Sequence, residues 1–243
     1  MDQKKVSIVI PARIGSTRLP NKPLKIIAGK PLVYWVIKAA LKVKNKSQII
    51  LATDNLEIMK VGSELNIKSI LTSTSHKSGT ERLLEVAKSV DSDYFINLQG
   101  DEPLIDPGDI EYLIKKLIES DLDIVTIAHE IDFDEAKDPS KVKVICNYKN
   151  EAIYFSRSII PYGSPNYLQH VGIYGFTQKS LKLIGSFSET NLEKFESLEQ
   201  LRWLENNLKI GVLYTKNKVI GVDTVEDLEK VEKILMLKRI KIL

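Results

Sequence analysis

Three cationic side chains occur within ten residues near the start of the chain. Arg13, Arg18 and Lys22 follow an apolar run at residues 6–10 that is typical of a buried strand, and nearby prolines and a glycine argue against a helix. Such a cluster is either a solvated basic loop or a site for a polyanion, which would relieve the repulsion among the cations. Ligands of open α/β sheets bind at the carboxyl ends of the strands. We therefore predict a cradle for a triphosphate.

The same loop contains Gly15 and Ser16, whose backbone N–H groups could approach phosphate oxygens. Arg binds phosphate through two parallel hydrogen bonds, whereas Lys acts as a movable point charge. The loop follows neither the Gly-x-x-x-x-Gly-Lys-Ser/Thr pattern nor the Gly-x-Gly-x-x-Gly pattern. We therefore expect a nucleotide site of a different type.

Two aspartates are candidate ligands for a divalent cation. Asp101 follows the apolar run at residues 94–98 and so belongs at the same sheet edge as the cations. One or two carboxylates, completed by phosphate oxygens and water, form the ligand set that Mg²⁺ prefers. A plain turn at Asp101 is the alternative. Asp223 is the candidate second ligand, although its position before the last helix suits an N-cap equally well.

Further polar residues could line pockets for the rest of a nucleotide and for a second substrate. Ser78 and Gly79 open a helix, where they could contact a base or ribose, and Arg82 could donate to a base carbonyl. Arg157 follows an apolar strand and suits a substrate that bears a carboxylate. The same residues are also common as helix caps and structural contacts.

The second half of the chain carries two more pairs of polar residues. His170 and Tyr174 are four residues apart on a predicted strand and therefore share one face. Glu199 and Gln200 lie together in an apolar helical segment, where a solvent-facing position explains one of them more easily than both.

Apolar patterning places these residues on an α/β framework. The predicted strands cover residues 6–10, 49–54, 69–71, 94–98 and 123–128, and the predicted helices cover residues 31–41, 55–65, 81–90 and 109–120. This alternation predicts a doubly wound, mostly parallel sheet, with Thr80 capping the third helix.

The second half of the chain has a different pattern. From residue 141 the strand-like runs follow one another around a hairpin turn, so we predict a small antiparallel insertion over residues 141–176, on the sugar side or at a subunit contact. A helix over 197–206, a strand over 210–214 and a helix from 225 complete one predicted domain over residues 1–243.

Composition excludes several classes of protein. Thirty-five basic and 32 acidic residues give a net charge of +3, which is too small to indicate a nucleic-acid partner. The single cysteine, Cys146, excludes an internal disulfide and a zinc site built from cysteines. No apolar run reaches membrane length and no signal peptide is visible. We expect a cytoplasmic protein with no membrane partner.

Taken together, the motifs resemble those of one family. In chain order they are IPARIGSTRLPNKPL, ATD, SGTERL, NLQGDEPLI, YFSRSIIPY, HVGIYGF, LEQLRWL and GVDTVEDLEKV, which extend from Ile8 to Val231. The set resembles the 3-deoxy-D-manno-octulosonate (Kdo) cytidylyltransferase, or CMP-Kdo synthetase, family. The resemblance implies a fold of the nucleotide-diphospho-sugar transferase type and a reaction of CTP with Kdo that gives CMP-Kdo and pyrophosphate for lipopolysaccharide biosynthesis.

The resemblance also implies roles for individual residues, a magnesium cofactor and a homodimer with a contact after Arg157. The implied nucleotide-binding residues are Arg13, Ser16, Arg18, Lys22, Ser78, Gly79 and Arg82. The implied Mg²⁺ ligands are Asp101 and Asp223, which act in catalysis with Arg13, Arg18 and Lys22. The implied sugar-binding residues are Gln99, Arg157, His170, Tyr174, Glu199 and Gln200.

Three departures from the family pattern leave alternatives open. The connection over residues 162–169 is short, Val219-Ile220-Gly221 replaces the usual Gly-Thr-Gly, and Val225 stands where Pro is usual. A subgroup that uses the 8-amino analogue of Kdo also has a shorter connection. The alternatives are therefore a cytidylyltransferase for that analogue or for another acidic sugar, and a non-catalytic nucleotide-binding module.

Overall fold

The protein is represented by a computed structural model that describes residues 4–15 and 19–240, with side chains through residue 237. The chain divides into two compact units. The first unit comprises Met1–Glu111 and Val219–Leu243, and the second unit comprises Tyr112–Lys218.

Strands and helices alternate along most of the chain. The strands are β1 (Val6–Ala12), β2 (Ile26–Ile27), β3 (Lys30–Pro31), β4 (Gln48–Thr53), β5 (Lys68–Leu71), β6 (Tyr94–Leu98), β7 (Ile124–Ile131), β8 (Lys143–Cys146), β9 (Ala152–Ser156), β10 (Tyr167–Thr177) and β11 (Ile210–Tyr214). The helices are α1 (Leu32–Lys42), α2 (Leu56–Glu64), α3 (Gly79–Ala87), α4 (Pro107–Glu119), α5 (Phe133–Ala136), α6 (Gln178–Ile184), α7 (Asn191–Glu196), α8 (Glu199–Glu205) and α9 (Val225–Ile240). A short 3₁₀ turn covers Lys22–Leu24.

The first unit is built on a parallel sheet in the order β6-β1-β4-β5. Every residue of β1 is buried, as expected for a central strand with both faces covered. Because the strands are parallel, the chain leaves β1, β4 and β6 at the same edge of the sheet. That edge carries most of the polar residues singled out from the sequence.

An apolar cluster in the first unit joins segments that are far apart in sequence. Leu19 and Leu32 pack with Val222 and with Val231 and Leu235 of α9. Two hydrogen bonds at this cluster fix the loop before α1, because Trp35 Nε1 donates to the Ile27 carbonyl at 2.9 Å and the Ala28 N–H donates to Glu232 Oε1 at 2.8 Å. Residues near the two ends of the chain are therefore held together by burial of apolar surface.

The second unit combines parallel and antiparallel strand pairs. β7 pairs with β11 in parallel and with β10 antiparallel, and β8 pairs antiparallel with both β9 and β10. The strands within residues 141–176 thus pair antiparallel, as predicted. In the described part of the chain, no helix is both long and apolar enough to span a bilayer.

The predicted α/β fold with a mainly parallel sheet is confirmed, with two local corrections. Ser78, not Thr80, caps α3: the Ser78 hydroxyl accepts the Glu81 N–H and the helix begins at Gly79. The short helices α5, α6 and α7 were not predicted, because each covers only one or two turns. One domain over residues 1–243, and a sugar-side or subunit role for residues 141–176, stay predictions.

Candidate active site

A cavity of about 240 Å³ opens in the first unit, where β1 and β6 end. It is lined by Pro11, Ala12, Arg13, Lys22, Pro23, Lys77, Ser78, Gly79, Arg82, Gln99, Gly100, Asp101 and Asp223. The structure therefore brings together the described residues that were predicted to hold a triphosphate, a base and a cation. Ser16 and Arg18 lie outside the described residues.

Lys22 lies between the two predicted cation ligands. Its Nζ donates to Asp101 Oδ2 at 2.6 Å and to Asp223 Oδ1 at 3.0 Å. We call these three residues the ionic cluster. Burial disfavours the charged form of Lys22, but the charge of Asp101, and then that of Asp223, outweighs burial and raises the pKa of Lys22. The Lys22 side chain is 14% exposed and the two aspartate side chains are 31% and 40% exposed, so a ligand can reach the carboxylates.

The apolar cluster explains why these three side chains meet. Leu19 and Val222 both belong to that cluster, and they precede Lys22 and Asp223 by three residues and by one. A backbone hydrogen bond from the Val222 N–H to the Asp101 carbonyl, at 2.9 Å, joins the segment that carries Asp223 to the segment that carries Asp101. Asp223 therefore faces Asp101 because of packing and backbone pairing.

Glu102 is a third carboxyl group at this position and was not predicted as a site residue. It is buried, and its Oε2 atom has no hydrogen-bond partner among the described residues. Burial first, and then the charges of Asp101 and Asp223, raise the pKa of Glu102 to about 8. The sequence signal for Glu102 was its position inside the NLQGDEP motif, but the motif does not show whether its carboxyl group is buried or exposed.

The N-terminus of α3 faces the cavity and is stabilised by a buried ion pair. Arg82 is almost fully buried; its Nη2 donates to Asp54 Oδ2 at 3.1 Å, and its Nη1 donates to Thr72. Asp54 also accepts the Ile14 N–H at 3.1 Å through Oδ1. Asp54 therefore connects α3 to the loop that carries Arg13, a role that the ATD motif did not reveal. Donation from Arg82 to a base carbonyl stays a prediction.

Two glycines allow close packing at the site, Gly100 against backbone and Gly79 against side chains. A Cβ added at Gly100 would lie 2.7 Å from the Pro11 carbonyl oxygen, and one at Gly79 would lie 3.0 Å from Gln99 Nε2. A Cβ at Gly15, by contrast, would meet nothing within 4 Å. Arg13 is exposed, and its Nη1 donates to the Lys77 carbonyl at 3.3 Å. Close packing within the protein at this edge is thus found at Gly79 and Gly100, whereas approach of the Gly15 backbone to phosphate stays a prediction.

Two predicted sugar-binding residues of the second unit, His170 and Tyr174, form with Phe155 and Trp203 what we call the aromatic cluster. His170 lies edge-on to Phe155, with ring centroids 5.2 Å apart, and 5.1 Å from the ring of Tyr174. Tyr174 in turn packs against Trp203 at 4.9 Å. Thr126 Oγ1 lies 2.9 Å from His170 Nε2. His170 and Tyr174 therefore do share one face, as predicted.

Burial keeps this cluster uncharged. It lowers the pKa of His170 to about 3 and, with the nearby Glu199 as a second cause, raises the pKa of Tyr174 well above its usual value. Gln200 is buried on α8, next to Glu199. Gln99, which was predicted with the sugar group, lies in the first unit with the nucleotide group.

Arg157 is bound mainly to the protein's own backbone. Its Nε donates to the Glu196 carbonyl at 2.9 Å and its Nη1 donates to the Pro139 carbonyl at 3.0 Å. Its backbone N–H donates to Glu196 Oε2 at 2.8 Å. These bonds hold α7 beside the end of β9. Pairing of Arg157 with a substrate carboxylate stays a prediction.

Comparison with known proteins gives one consistent family. A family model described as cytidylyltransferase matches residues 7–210. Proteins named 3-deoxy-manno-octulosonate cytidylyltransferase from Fusobacterium nucleatum and Escherichia coli are 44% and 42% identical, covering 96% and 95% of this chain and 98% and 96% of their own lengths.

Solved structures agree with this result. A CMP:2-keto-3-deoxy-manno-octonic acid synthetase complexed with CTP superposes with a TM-score of 0.93 at 41% identity, covering 97% of this chain and all of the other. The inositol-1-phosphate CTP transferase of T. maritima, at 19% identity and a TM-score of 0.71 with 96% of each chain covered, shares the fold. The chain belongs to the 3-deoxy-manno-octulosonate cytidylyltransferase family.

Proposed function

We propose that this chain activates Kdo with CTP, giving CMP-Kdo and pyrophosphate. The observation that carries the proposal is the ionic cluster: two carboxylates and a lysine from three distant segments meet at the sheet edge, beside further cations and the N-terminus of α3. Relatives of more than 40% identity named for this reaction support the choice of sugar and nucleotide. The product would supply Kdo for lipopolysaccharide biosynthesis.

The reaction is an in-line displacement at phosphorus. The C2 hydroxyl oxygen of the sugar forms a bond to the α-phosphorus of CTP, the bond from that phosphorus to the bridging oxygen breaks, and pyrophosphate leaves with the electron pair. The hydroxyl proton passes to water. Positioning and electrostatic stabilisation of the phosphate charges account for most of the catalysis in such transfers.

Cationic groups of the first unit would hold the triphosphate. Arg13 and Lys22 would bind its oxygens, with Ser16 and Arg18 completing the cradle. Backbone N–H groups at the start of α3, next to Ser78 and Gly79, would add a partial positive charge. Charge that develops on the leaving pyrophosphate would be stabilised by the same cations.

The residues present fit a magnesium ion. Asp101 and Asp223 already share one cation, the Lys22 ammonium, and among the described residues no group of three or more acidic, His or Cys side chains forms a fuller cage. A site of two carboxylates completed by phosphate and water is the arrangement Mg²⁺ commonly uses. When bound, Mg²⁺ would neutralise phosphate charge and lower the pKa of the attacking hydroxyl.

The aromatic cluster would contribute to recognition of the sugar. His170, Tyr174, Glu199 and Gln200 offer hydrogen-bonding groups on an apolar wall, which suits a ring with hydroxyl groups on one side and C–H groups on the other. Gln99 and Arg157 would add polar contacts. We further propose that the enzyme acts in the cytoplasm as a homodimer.

The test is release of pyrophosphate from each nucleoside triphosphate, with Kdo or its 8-amino analogue as acceptor and with and without MgCl₂. We expect release with CTP and Kdo that depends on Mg²⁺. Faster release with the 8-amino analogue would mean that this analogue, and not Kdo, is the preferred sugar substrate. Binding of CTP without turnover of any acidic sugar would indicate a non-catalytic nucleotide-binding module.

A further inference from the structure

The Lys22 ammonium occupies the space between two carboxylates that the proposed function assigns to a divalent cation. We propose that Lys22 and the cation compete for Asp101 and Asp223, so that Lys22 must move away before the cation can bind both. This inference rests on the proposed function, because it takes the two aspartates as the ligands of the cation.

The geometry leaves no room for both charges. Lys22 Nζ lies 2.6 Å from one carboxylate oxygen and 3.0 Å from the other. Mg²⁺ needs its oxygen ligands at about 2.0–2.1 Å, so a cation held by both aspartates would lie where their carboxylates converge, which is where the ammonium now lies. Two positive charges within a few ångströms also repel strongly where water is partly excluded. The two occupants therefore exclude each other.

A triphosphate bound in the cavity would give Lys22 another partner once the lysine leaves the aspartates. Lys22 shares the cavity with Arg13, Lys77 and the N-terminus of α3, the groups that would attract phosphate. A lysine side chain is a flexible point charge and can move from a carboxylate to a phosphate without rearrangement of the backbone. Arrival of the triphosphate would thus draw Lys22 from the aspartates and open them to the cation.

The aspartates do not depend on Lys22 to stay together. The Val222 N–H donates to the Asp101 carbonyl at 2.9 Å, and Leu19 and Val222 are buried in the same apolar cluster. Removal of the ammonium should therefore leave two facing carboxylates that lack the Lys22 charge. Such a pair repels itself, and a divalent cation relieves that repulsion.

The experiment is a calorimetric titration of the full chain with MgCl₂ alone, without nucleotide, on the wild type and on Lys22→Met. We expect the variant to bind Mg²⁺ about tenfold more tightly or better, since the cation no longer has to displace two ion pairs. Mg²⁺ should also raise the melting temperature of the variant more than that of the wild type.

Two controls identify the cause of any gain in affinity. Lys25→Met removes an exposed lysine of the same segment and should bind Mg²⁺ like the wild type. Adding Asp223→Asn to Lys22→Met should abolish the gain. Lys22→Gln repeats the titration if the methionine variant does not fold.

Affinity for Mg²⁺ that is unchanged, weaker or undetectable in a folded Lys22 variant would overturn the inference. This result is distinguishable from failure of the proposed function, which is judged on the wild type by release of pyrophosphate. A wild type that turns over CTP and Kdo, together with a Lys22 variant that gains no affinity, would refute the competition alone.

Discussion

The ionic cluster and the aromatic cluster treat charge in opposite ways. In the ionic cluster three charged groups are paired at 2.6 and 3.0 Å and stay partly exposed, so their partners can be exchanged. In the aromatic cluster Tyr174 is buried and His170 is partly buried, both are kept neutral, and their neighbours include aromatic rings and the Thr126 hydroxyl group. The first arrangement suits ions that come and go in each catalytic cycle. The second suits a rigid wall whose shape stays the same.

The largest effect should come from removing a charge of the ionic cluster. Asp101→Asn keeps the size of the side chain but removes a carboxylate from the proposed cation site, so we expect kcat to fall about a thousandfold at saturating CTP and Mg²⁺. The measurement is steady-state release of pyrophosphate. Asp91→Asn, at a highly exposed aspartate paired with Lys5, is the matched control and should keep normal turnover. Near-normal turnover of Asp101→Asn would mean that Asp101 is not a ligand of the proposed cation.

The Arg82–Asp54 pair differs from the ionic cluster, because its two charges are buried and stay paired. Both side chains are buried, with 2% and 8% exposure. Asp54→Asn leaves the Arg82 guanidinium buried without its counter-ion and should lower the free energy of unfolding by about 3 kcal/mol. Urea unfolding measures the change. A loss of less than about 1 kcal/mol would mean that water already screens this pair as it screens the ionic cluster.

A steric change tests how much the ionic cluster depends on backbone placement. The Cβ of Gly100→Ala would lie 2.7 Å from the Pro11 carbonyl oxygen, so the backbone must shift, at a cost of about 2 kcal/mol in stability. Gly15→Ala, where the added Cβ meets open space, is the matched control and should change stability by less than about 0.5 kcal/mol. Equal melting temperatures for the two variants would contradict the close approach.

The last prediction concerns the pH dependence of the aromatic cluster. Burial depresses the pKa of His170 to about 3, so the unfolded chain binds a proton that the folded chain refuses between about pH 6.5 and pH 3. The contribution of neutral His170 to stability is therefore complete above pH 6.5 and decreases as the pH falls, by up to about 1.4 kcal/mol per pH unit. In His170→Gln the slope of unfolding free energy against pH should be shallower by that amount, as measured by urea unfolding between pH 4.5 and 7.5. Identical slopes would show that His170 is solvated.

The sequence predicted the framework well because burial leaves a simple pattern. Apolar runs such as that at β1 cannot be solvated, and the polar residues that follow Leu98 and Thr53 must then lie at one sheet edge. This reasoning placed Asp101 beside Lys22. The sequence left the role of Asp223 undecided between a helix cap and a cation ligand. The direction of its segment depends on the apolar packing of Val222, which the sequence pattern does not show.

The sequence does not reveal how deeply a side chain is buried or which residues of distant segments it contacts. Glu102 and Asp54 both lie within motifs named in the sequence analysis, yet their burial and their partners come from distant segments. Arg157 was expected to be open to a substrate, whereas backbone carbonyls take two of its nitrogens. The start of α3 was placed too late because a short polar stretch carries two possible caps.

The bond between the Val222 N–H and the Asp101 carbonyl has a consequence for how the protein is made. Asp223 lies 201 residues after Lys22, so a ribosome must add all of those residues before the second carboxylate exists. A nascent chain shorter than that can form the loop, the first aspartate and much of the sheet, but it has no complete ionic cluster. Incomplete translation products would therefore lack a finished ionic cluster, however well their early strands have folded.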